Sequence, residues 1–549
     1  MAAQKHAERV HHARRHNDAQ LRKPEHLRRK LMDVDCPAGT RTCTVNGVEH
    51  ADMSLFDCPW INSLHPYLNT TMKPENFYAT ASLPGVEPVV DPITQSPHKY
   101  LRSRPGGTPF VDGGLCLPFQ EIPFPFPGWM YGGVDFTQLP ERYAGDIDIA
   151  SMRPSRHRDY SVRVLQNPEL IDRIKNYTMM GDKVADAYAA LIPEYGFRAL
   201  VTLLERACDE GVDAVEDAPI ELVRFINAME ATPDWVDMSL VEEGAKHERI
   251  PLGTISPFAI RGAFIATFMN KYTALPMTMT GTLTDEKSVS RVFETASFFT
   301  ATTMPKAMER FNPGFKAAAK VRLMHSMVRF NIMRTGHWDV STYGIPIPQV
   351  DQMPAGLIGI FLMSFKLLAN GRSHFTAAER ARVEMARYRC FLLGLPEDLL
   401  GETPQEIVDL MTARTLSLRE TYDDEICGEL IRGTMRAELF TDPSLTGRFH
   451  RWMERGFSKY FLIQHFCDGK VERAQAMGVQ YGPHDKVATA CALATIVASS
   501  NLYALGMKVP GVAEMLDRRL TRKLARLLKL YGHADFITDA GNYKLVGAK

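Results

Sequence analysis

The chain has 549 residues, of which 45% are hydrophobic and 23% charged, and its 64 Lys and Arg balance its 64 Asp and Glu. A chain of this length buries a substantial core, and the zero net charge excludes a nucleic-acid-binding surface that extends over the whole molecule. The nine cysteines include no Cys-x-x-Cys pair, which is typical of a reduced thiol set rather than a disulfide scaffold.

Residues 1–35 form a basic segment that we predict to be a mobile or weakly helical tail. Residues 1–30 contain nine Lys or Arg against three acidic residues, and no apolar stretch follows them. Because a secretory signal requires such a stretch, we expect a cytoplasmic protein without a signal peptide or N-terminal anchor. The basic charge favours peripheral contact with an acidic membrane surface, and a solvated tail without a partner is the alternative.

Residues 36–150 are rich in proline, glycine and aromatic residues. Residues 81–130 alone contain ten prolines and six glycines, including the run Pro-Phe-Pro-Phe-Pro-Gly at 123–128. Proline and glycine at this density break both helices and strands. We therefore predict a long, irregular N-terminal extension that wraps around a folded body.

Residues 151–549 change to amphipathic stretches with helix start and stop signals. Residues 376–379 and 403–406 have the capping-box pattern, and strand-like alternation is weak throughout. Two apolar stretches, 354–369 and 487–507, are predicted to be buried core helices, although the second reaches membrane-spanning length. The predicted class is therefore all-α, with one large helical domain.

The first stretch with candidate chemistry is a predicted helix that begins near Thr284 and ends before Pro305. Arg291, Glu294 and Thr295 follow one another at positions i, i+3 and i+4, so they share one face of this helix. A polar face of this kind inside an otherwise apolar helix indicates either solvent or a functional site.

The second such stretch is a helix with Asn312 as its N-cap and Pro313 as its first residue. Arg322 lies three residues before His325 and Arg329 four residues after it, so all three share a face. A neutral imidazole is a good iron ligand, and guanidinium groups pair with carboxylates such as the propionates of haem. A packed core histidine in a polar network, in a helical protein without haem, is the alternative that spacing leaves open.

Four motifs in this order resemble those of the rubber oxygenase (latex-clearing protein) and MpaB catalytic-domain family. They are Arg-Val-Phe-Glu-Thr at 291–295, Arg-Leu-Met-His-Ser-Met-Val-Arg at 322–329, Gly-Ile-Pro-Ile-Pro-Gln at 344–349, and the stretch 388–400. The resemblance extends from about residue 150 to about residue 535. It implies a globin-like helical core, with additional helices, that holds haem b.

The resemblance also implies roles for the residues of the second helix. His325 matches the proximal haem ligand and would bind the iron. Arg322 and Arg329 match the two arginines that flank that ligand in the family and would bind the cofactor. These roles agree with the chemistry expected from the shared face.

On the opposite side of the haem, the resemblance places Arg291, Glu294 and Thr295 as the catalytic residues that face dioxygen. Glu294 departs from the family, because the latex-clearing enzymes have a lysine at this position that can bind the iron. We expect Glu294 either to move a proton, if burial raises its pKa, or to form a salt bridge with Arg291. The missing lysine makes rubber itself an improbable substrate.

The function implied is that of a haem b-dependent oxygenase that uses dioxygen. It would cleave the C=C bond of a small, hydrophobic, unsaturated isoprenoid or lipid-like substrate inside the cell. The alternative of a different class is a non-catalytic haem or gas sensor built on the same helices.

Overall fold

A computed structural model describes residues 43–45, 48–50, 128–131, 134–151, 158–279, 285–467 and 469–532. The predicted tail at 1–35 and most of the predicted extension at 36–150 lie outside these residues. The chain divides into two units, Met1–Leu64 and His65–Lys549. In the first unit, strands β1 (Cys43–Val45) and β2 (Val48–His50) pair antiparallel.

The second unit is built from helices. The helices of its first half are α1 (Gly128–Tyr131), α2 (Arg158–Leu165), α3 (Pro168–Thr178), α4 (Lys183–Ala189), α5 (Ile192–Tyr195), α6 (Phe197–Glu210), α7 (Ile220–Glu230), α8 (Met238–Thr254), α9 (Ser256–Ile265), α10 (Lys271–Met279) and α11 (Asp285–Ala301). Those of its second half are α12 (Pro313–Met333), α13 (Val340–Tyr343), α14 (Gln349–Ala369), α15 (Ala377–Leu392), α16 (Pro404–Leu416), α17 (Glu429–Arg436), α18 (Leu445–Phe466), α19 (Val471–Ala476), α20 (Pro483–Gly506) and α21 (Val512–Tyr531).

Short helical turns connect several of these helices. Four are 3-10 turns, at Ile147–Ile149, Val212–Ala214, Ala266–Phe268 and Glu397–Leu399, and one is a π-helical turn at Asp424–Gly428. Within the described ranges, extended structure is confined to the β1–β2 hairpin and two isolated backbone bridges. The predicted all-α class is confirmed.

The predicted helix boundaries agree with local chemistry. Thr376 and Thr403 each accept a hydrogen bond from the backbone of a glutamate three residues later, which completes both capping boxes. α12 begins at Pro313 with extended backbone at Asn312, as predicted, although the Asn312 side chain makes no capping hydrogen bond. α11 ends at Ala301, before Pro305, and the predicted start at Thr284 lies outside the described residues.

Two apolar cores meet at α11. The larger core includes residues of α3, α4, α6, α7, α12 and α14 to α16, and Phe298 of α11 belongs to it. The smaller core includes residues of α9, α10, α17 and α18, and Val292 of α11 belongs to that one. α11 also packs against α12, so the two helices that carry the predicted site residues are neighbours.

The two long apolar helices differ from the expectation of full burial. α14 begins five residues before the predicted stretch and leaves Ile358 38% exposed, and α20 leaves Leu502 64% and Leu505 65% exposed. Each of these helices packs along neighbouring helices through one face, so the other face meets the surroundings. By length and apolar composition alone, both reach what a membrane span requires, and a bent pair, Met238–Thr254 with Ser256–Phe268, would be a third.

Close packing of α8 on α15 requires a glycine, and this gives a matched pair of variants. A Cβ at Gly244 would lie closer than 3.0 Å to the backbone oxygen of Ala381, whereas a Cβ at exposed Gly359, within α14, meets nothing within 4 Å. We expect Gly244→Ala to lower the free energy of unfolding in urea by about 2 kcal/mol or more, because backbone must move. Gly359→Ala should raise it by about 0.5–1 kcal/mol, because alanine favours the helix. Equal effects at the two sites would contradict this packing.

Candidate functional site

His325 lies near the middle of α12, and its ring is held by a side chain of α14. The Nδ1 of His325 is 3.0 Å from the Oε1 of Gln352. The Nε2 of Gln352 donates to the Oε1 of Gln349 at 2.9 Å, and the Nε2 of Gln349 donates to the carbonyl oxygen of Gly181 at 3.1 Å. Three side chains thus form one chain of hydrogen bonds that ends on the backbone.

This series of hydrogen bonds determines which ring nitrogen of His325 carries the proton. The carbonyl of Gly181 only accepts, so Gln349 must present its amide nitrogen there and its amide oxygen to Gln352. Gln352 consequently turns its own oxygen toward His325, whose Nδ1 must donate. The lone pair therefore lies on Nε2, which has no hydrogen-bond partner in the described part of the chain.

The His325 ring is neutral at pH 7. Burial, together with the positive charges of Arg329 and Arg291, lowers its pKa from 6.5 to about 4, against the hydrogen bond to Gln352 and the charge of Asp182, which raise it. Arg291, on α11, is the smallest of these contributions. A neutral imidazole with a free, unprotonated Nε2 is the form that binds a metal ion.

Arg322 forms a buried ion pair with the residue that caps α4. Its Nε and Nη2 lie 2.5 and 3.0 Å from the two carboxylate oxygens of Asp182. The same carboxylate accepts from the backbone at the start of α4. Gly394, at φ +85°, lets its loop approach this pair, because a Cβ there would lie closer than 3.0 Å to both partners.

Arg329 is fully buried and also paired with an aspartate of α4. It donates to Asp186, which in addition accepts from the hydroxyl of Tyr131. Burial and the neighbouring Asp186 carboxylate raise the pKa of Tyr131, so that this hydroxyl stays protonated. Arg329 also donates to the carbonyl oxygens of Pro346 at 2.9 Å and Ile347 at 2.6 Å.

The carbonyl contacts of Arg329 stabilise a strained loop before α14. Ile347 has φ +49°, a conformation that β-branched residues rarely adopt. Two residues later Gln349 begins α14 and the hydrogen-bond chain to His325. The Gly-Ile-Pro-Ile-Pro-Gln motif therefore connects Arg329 to the orientation of the His325 ring.

The predicted residues of α11 form a polar group of their own. The Nη1 of Arg291 lies 3.5 Å from the Oε2 of Glu294, so the expected salt bridge is present. Burial nevertheless raises the pKa of Glu294, against the charge of Arg291, which lowers it. Partly buried Thr295 lies on the same helix, next to Glu294. The structure therefore pairs Glu294 with Arg291 on a helix that packs against the helix of His325.

Sequence reasoning missed the partners that hold this site. Gln352, Gln349, Asp182 and Asp186 were not predicted, although two signals point to them. Asp182, at the N-cap of α4, and Asp186 are four residues apart, so both carboxylates lie on one face of that helix. Gln349 stands at the end of a motif that the sequence analysis quoted. In the described part of the chain, no group of three or more His, Cys, Asp or Glu is arranged to hold a metal ion.

Comparisons with known proteins give the following matches. Residues 254–459 match the family described as ER-bound oxygenase mpaB/B'/Rubber oxygenase, catalytic domain. Among solved structures, the latex clearing protein LCP in its closed state is similar, with a TM-score of 0.44 and 20% identity, over 64% of this chain and 91% of that one. None of the curated proteins compared with the chain matches it. His325, both flanking arginines and the three predicted residues of α11 all lie within the matched range.

The lowered pKa of His325 predicts how stability depends on pH. Between pH 6.5 and pH 4 the unfolded state binds a proton that the folded state does not, so stability falls as the pH falls through this range. From pH 7 to pH 5 this single ring should cost about 2 kcal/mol of unfolding free energy. With no ligand added, the unfolding free energy of His325→Leu, measured in urea, should fall between pH 7 and pH 5 by about 2 kcal/mol less than that of the wild type. His374→Leu, at an exposed position, is the control, and identical losses in both variants would contradict the assignment.

Proposed function

We propose that this protein is a haem b-dependent oxygenase that acts on a C=C bond, because residues 254–459 match the family of MpaB and rubber oxygenase catalytic domains. That match supports oxygenase activity, and the haem and the substrate are our proposal. We further propose that the substrate is a small unsaturated isoprenoid or lipid-like molecule and that dioxygen is the oxidant.

The observation that carries the proposal is the state of His325. Its ring is neutral, its Nδ1–H is held by Gln352, and its Nε2 is free of partners within the described residues. Haem proteins hold iron through one such imidazole, whose other nitrogen donates to a carbonyl or amide oxygen. The residues present therefore fit an axial haem ligand. When bound, haem supplies the redox centre for dioxygen chemistry on an alkene.

The protein's own residues supply orientation. The hydrogen-bond chain from Gly181 through Gln349 and Gln352 sets the tautomer and ring plane of His325. The ion pairs of Arg322 and Arg329 fix α12 against α4 on either side of that histidine. Pairing of these two arginines with haem propionates remains a prediction from the sequence, and their contacts with aspartates give them a positioning role in our proposal.

We assign two roles to the predicted residues of α11, which are hydrogen-bond donation and proton transfer. Arg291 carries a positive charge that acts on the His325 ring, so it is positioned to stabilise negative charge that develops on oxygen. The hydroxyl of Thr295 supplies a further donor. Glu294, whose pKa burial raises, is our proposed proton carrier, with Arg291 as its partner.

The proposed reaction is balanced without an added reductant. The C=C bond of the substrate breaks, two C=O bonds form, and both atoms of one dioxygen molecule end in the two carbonyl fragments. The polar residues on α11 thus need only shuttle protons and stabilise charge. Glu294, in place of the family's lysine, offers no neutral amine to the iron, which favours a substrate other than rubber.

The first prediction concerns haem binding. Protein loaded with haem should show a Soret absorption band, and His325→Ala should abolish its retention, because this variant removes the proposed axial ligand. Gln352→Leu should weaken haem binding about ten- to hundredfold, since it removes the acceptor for Nδ1–H.

The control for that experiment is a second buried histidine. His465 lies on α18, and burial lowers its pKa to about 4 as well. His465→Ala therefore removes a comparable imidazole from a different helix and should leave the Soret band unchanged. Haem retention by His325→Ala at the level of the His465 variant would refute the ligand assignment.

The second prediction concerns turnover. Incubation of the haem-loaded protein with ¹⁸O₂ and a panel of prenylated compounds should give aldehyde or ketone fragments, each carrying one label. Immediate reduction with borohydride prevents exchange of the label with water before mass spectrometry. Label in only one fragment would indicate a different oxygenase reaction, and no label across the panel would favour the haem or gas sensor.

A further inference from the structure

One buried arginine near the candidate site differs from the other buried arginines that the structure describes, because it has no ion-pair partner within 4.0 Å. Among the described residues, eight arginines are less than 9% exposed: Arg142, Arg249, Arg261, Arg322, Arg329, Arg382, Arg387 and Arg389. Seven of them have a carboxylate oxygen within 4.0 Å. Arg389, which is 6% exposed, has none among the described residues.

The hydrogen bonds of Arg389 are also incomplete. Its Nη2 donates to the carbonyl oxygen of Gly356 at 3.3 Å, and its Nε is buried without any partner. The guanidinium carbon lies 4.8 Å from the centre of the Phe299 ring. Glu248 acts on Arg389 through its charge, but that carboxylate is paired with Arg382 at 2.6 Å. A buried cation with unused donors is costly unless an anion completes it.

Arg389 lies between the helices that form the candidate site. Gly356 is four residues after Gln352 on α14, which is about 6 Å along the helix from the residue that holds His325. Phe299 is four residues after Thr295 on α11. The guanidinium is thus about one helical turn from the proposed ligand side and one turn from the proposed oxygen side.

We propose that Arg389 binds a carboxylate that enters with a ligand of this site. The fixed fork of a guanidinium matches a carboxylate, and the aromatic ring of Phe299 supports its flat face. The carboxylate comes either from a haem propionate or from the substrate, and the two sources share this chemistry. The haem source rests on the function proposed above, whereas the substrate source does not require it.

The first experiment compares haemin with haemin dimethyl ester, which lacks both carboxylates. If a propionate is the partner, the wild type should bind haemin about ten- to hundredfold more tightly than the diester. Arg389→Met should lose most of that preference and Arg389→Lys should recover part of it. Absorption titration measures the six affinities, of three proteins for two porphyrins, without requiring turnover.

The second experiment tests the substrate source with oleate and methyl oleate, followed as ligand-induced shifts in melting temperature. If the substrate supplies the carboxylate, oleate should raise the melting temperature of the wild type more than methyl oleate does, and Arg389→Met should remove this difference. The haemin preference would then be unchanged. If Arg389→Met keeps both the preference for haemin over its diester and the preference for oleate over methyl oleate, the inference is overturned.

Stability of the ligand-free protein separates a binding role from a structural one. Arg387, on the same helix, is also buried and stacked on a ring, that of Trp235, but it is paired with Glu402. Arg387→Met should lower the melting temperature, because it breaks an ion pair. Arg389→Met should leave it unchanged or raise it, because it removes an unpaired charge. Equal destabilisation by both variants would make Arg389 a structural residue.

These measurements distinguish the failure of each proposal. If the wild type takes up neither porphyrin, the haem-dependent function fails, and the oleate comparison, which needs no haem, still decides the role of Arg389. If the wild type binds haemin through His325 but Arg389→Met changes neither preference, the function stands and the carboxylate site is refuted.

Discussion

The pairing of two arginines of α12 with two aspartates of α4 is the constraint on which the candidate site depends. Arg322 with Asp182 and Arg329 with Asp186 lie on either side of His325, and all four groups are buried. Burying four charges is expensive, and removing any single partner would leave its mate uncompensated at a cost of about 3–5 kcal/mol. The pairs therefore tolerate little displacement of α12 relative to α4, which keeps the histidine in place.

The loop before α14 transmits the same constraint to the ring of His325. Arg329 holds the carbonyl oxygens of Pro346 and Ile347, and the strained backbone of Ile347 directs the chain into Gln349. Gln349 then sets the orientation of Gln352, and Gln352 sets the tautomer of the ring. One arginine thus anchors the helix of the histidine and the loop that orients it. This dual role explains why a motif of prolines and isoleucines accompanies the histidine motif.

The charged groups around the site are of two kinds. Some are paired with an oppositely charged protein group, and others have donors that could still bind an anion. Arg322 and Arg329 of α12 are paired with aspartates, whereas Arg389, which contacts α11 and α14 from α15, has a buried Nε without a partner. On α11, Arg291 is paired with Glu294 at 3.5 Å. Because a bound anion gains most from donors that have no other partner, Arg389 is the receptive group among them.

The sequence by itself determined the helical class, the capping boxes, the start of α12 and the shared face of Arg322, His325 and Arg329. These features depend on local spacing and backbone chemistry, which a single stretch of chain carries. Only the tertiary structure decided that Arg322 and Arg329 form ion pairs with Asp182 and Asp186, which lie about 140 residues earlier in the chain. It also decided that Ile358 and Leu502 face outward, and that no described carboxylate lies within 4.0 Å of Arg389. Charge pairing and burial depend on which helices become neighbours, and helical periodicity alone contains no information about that.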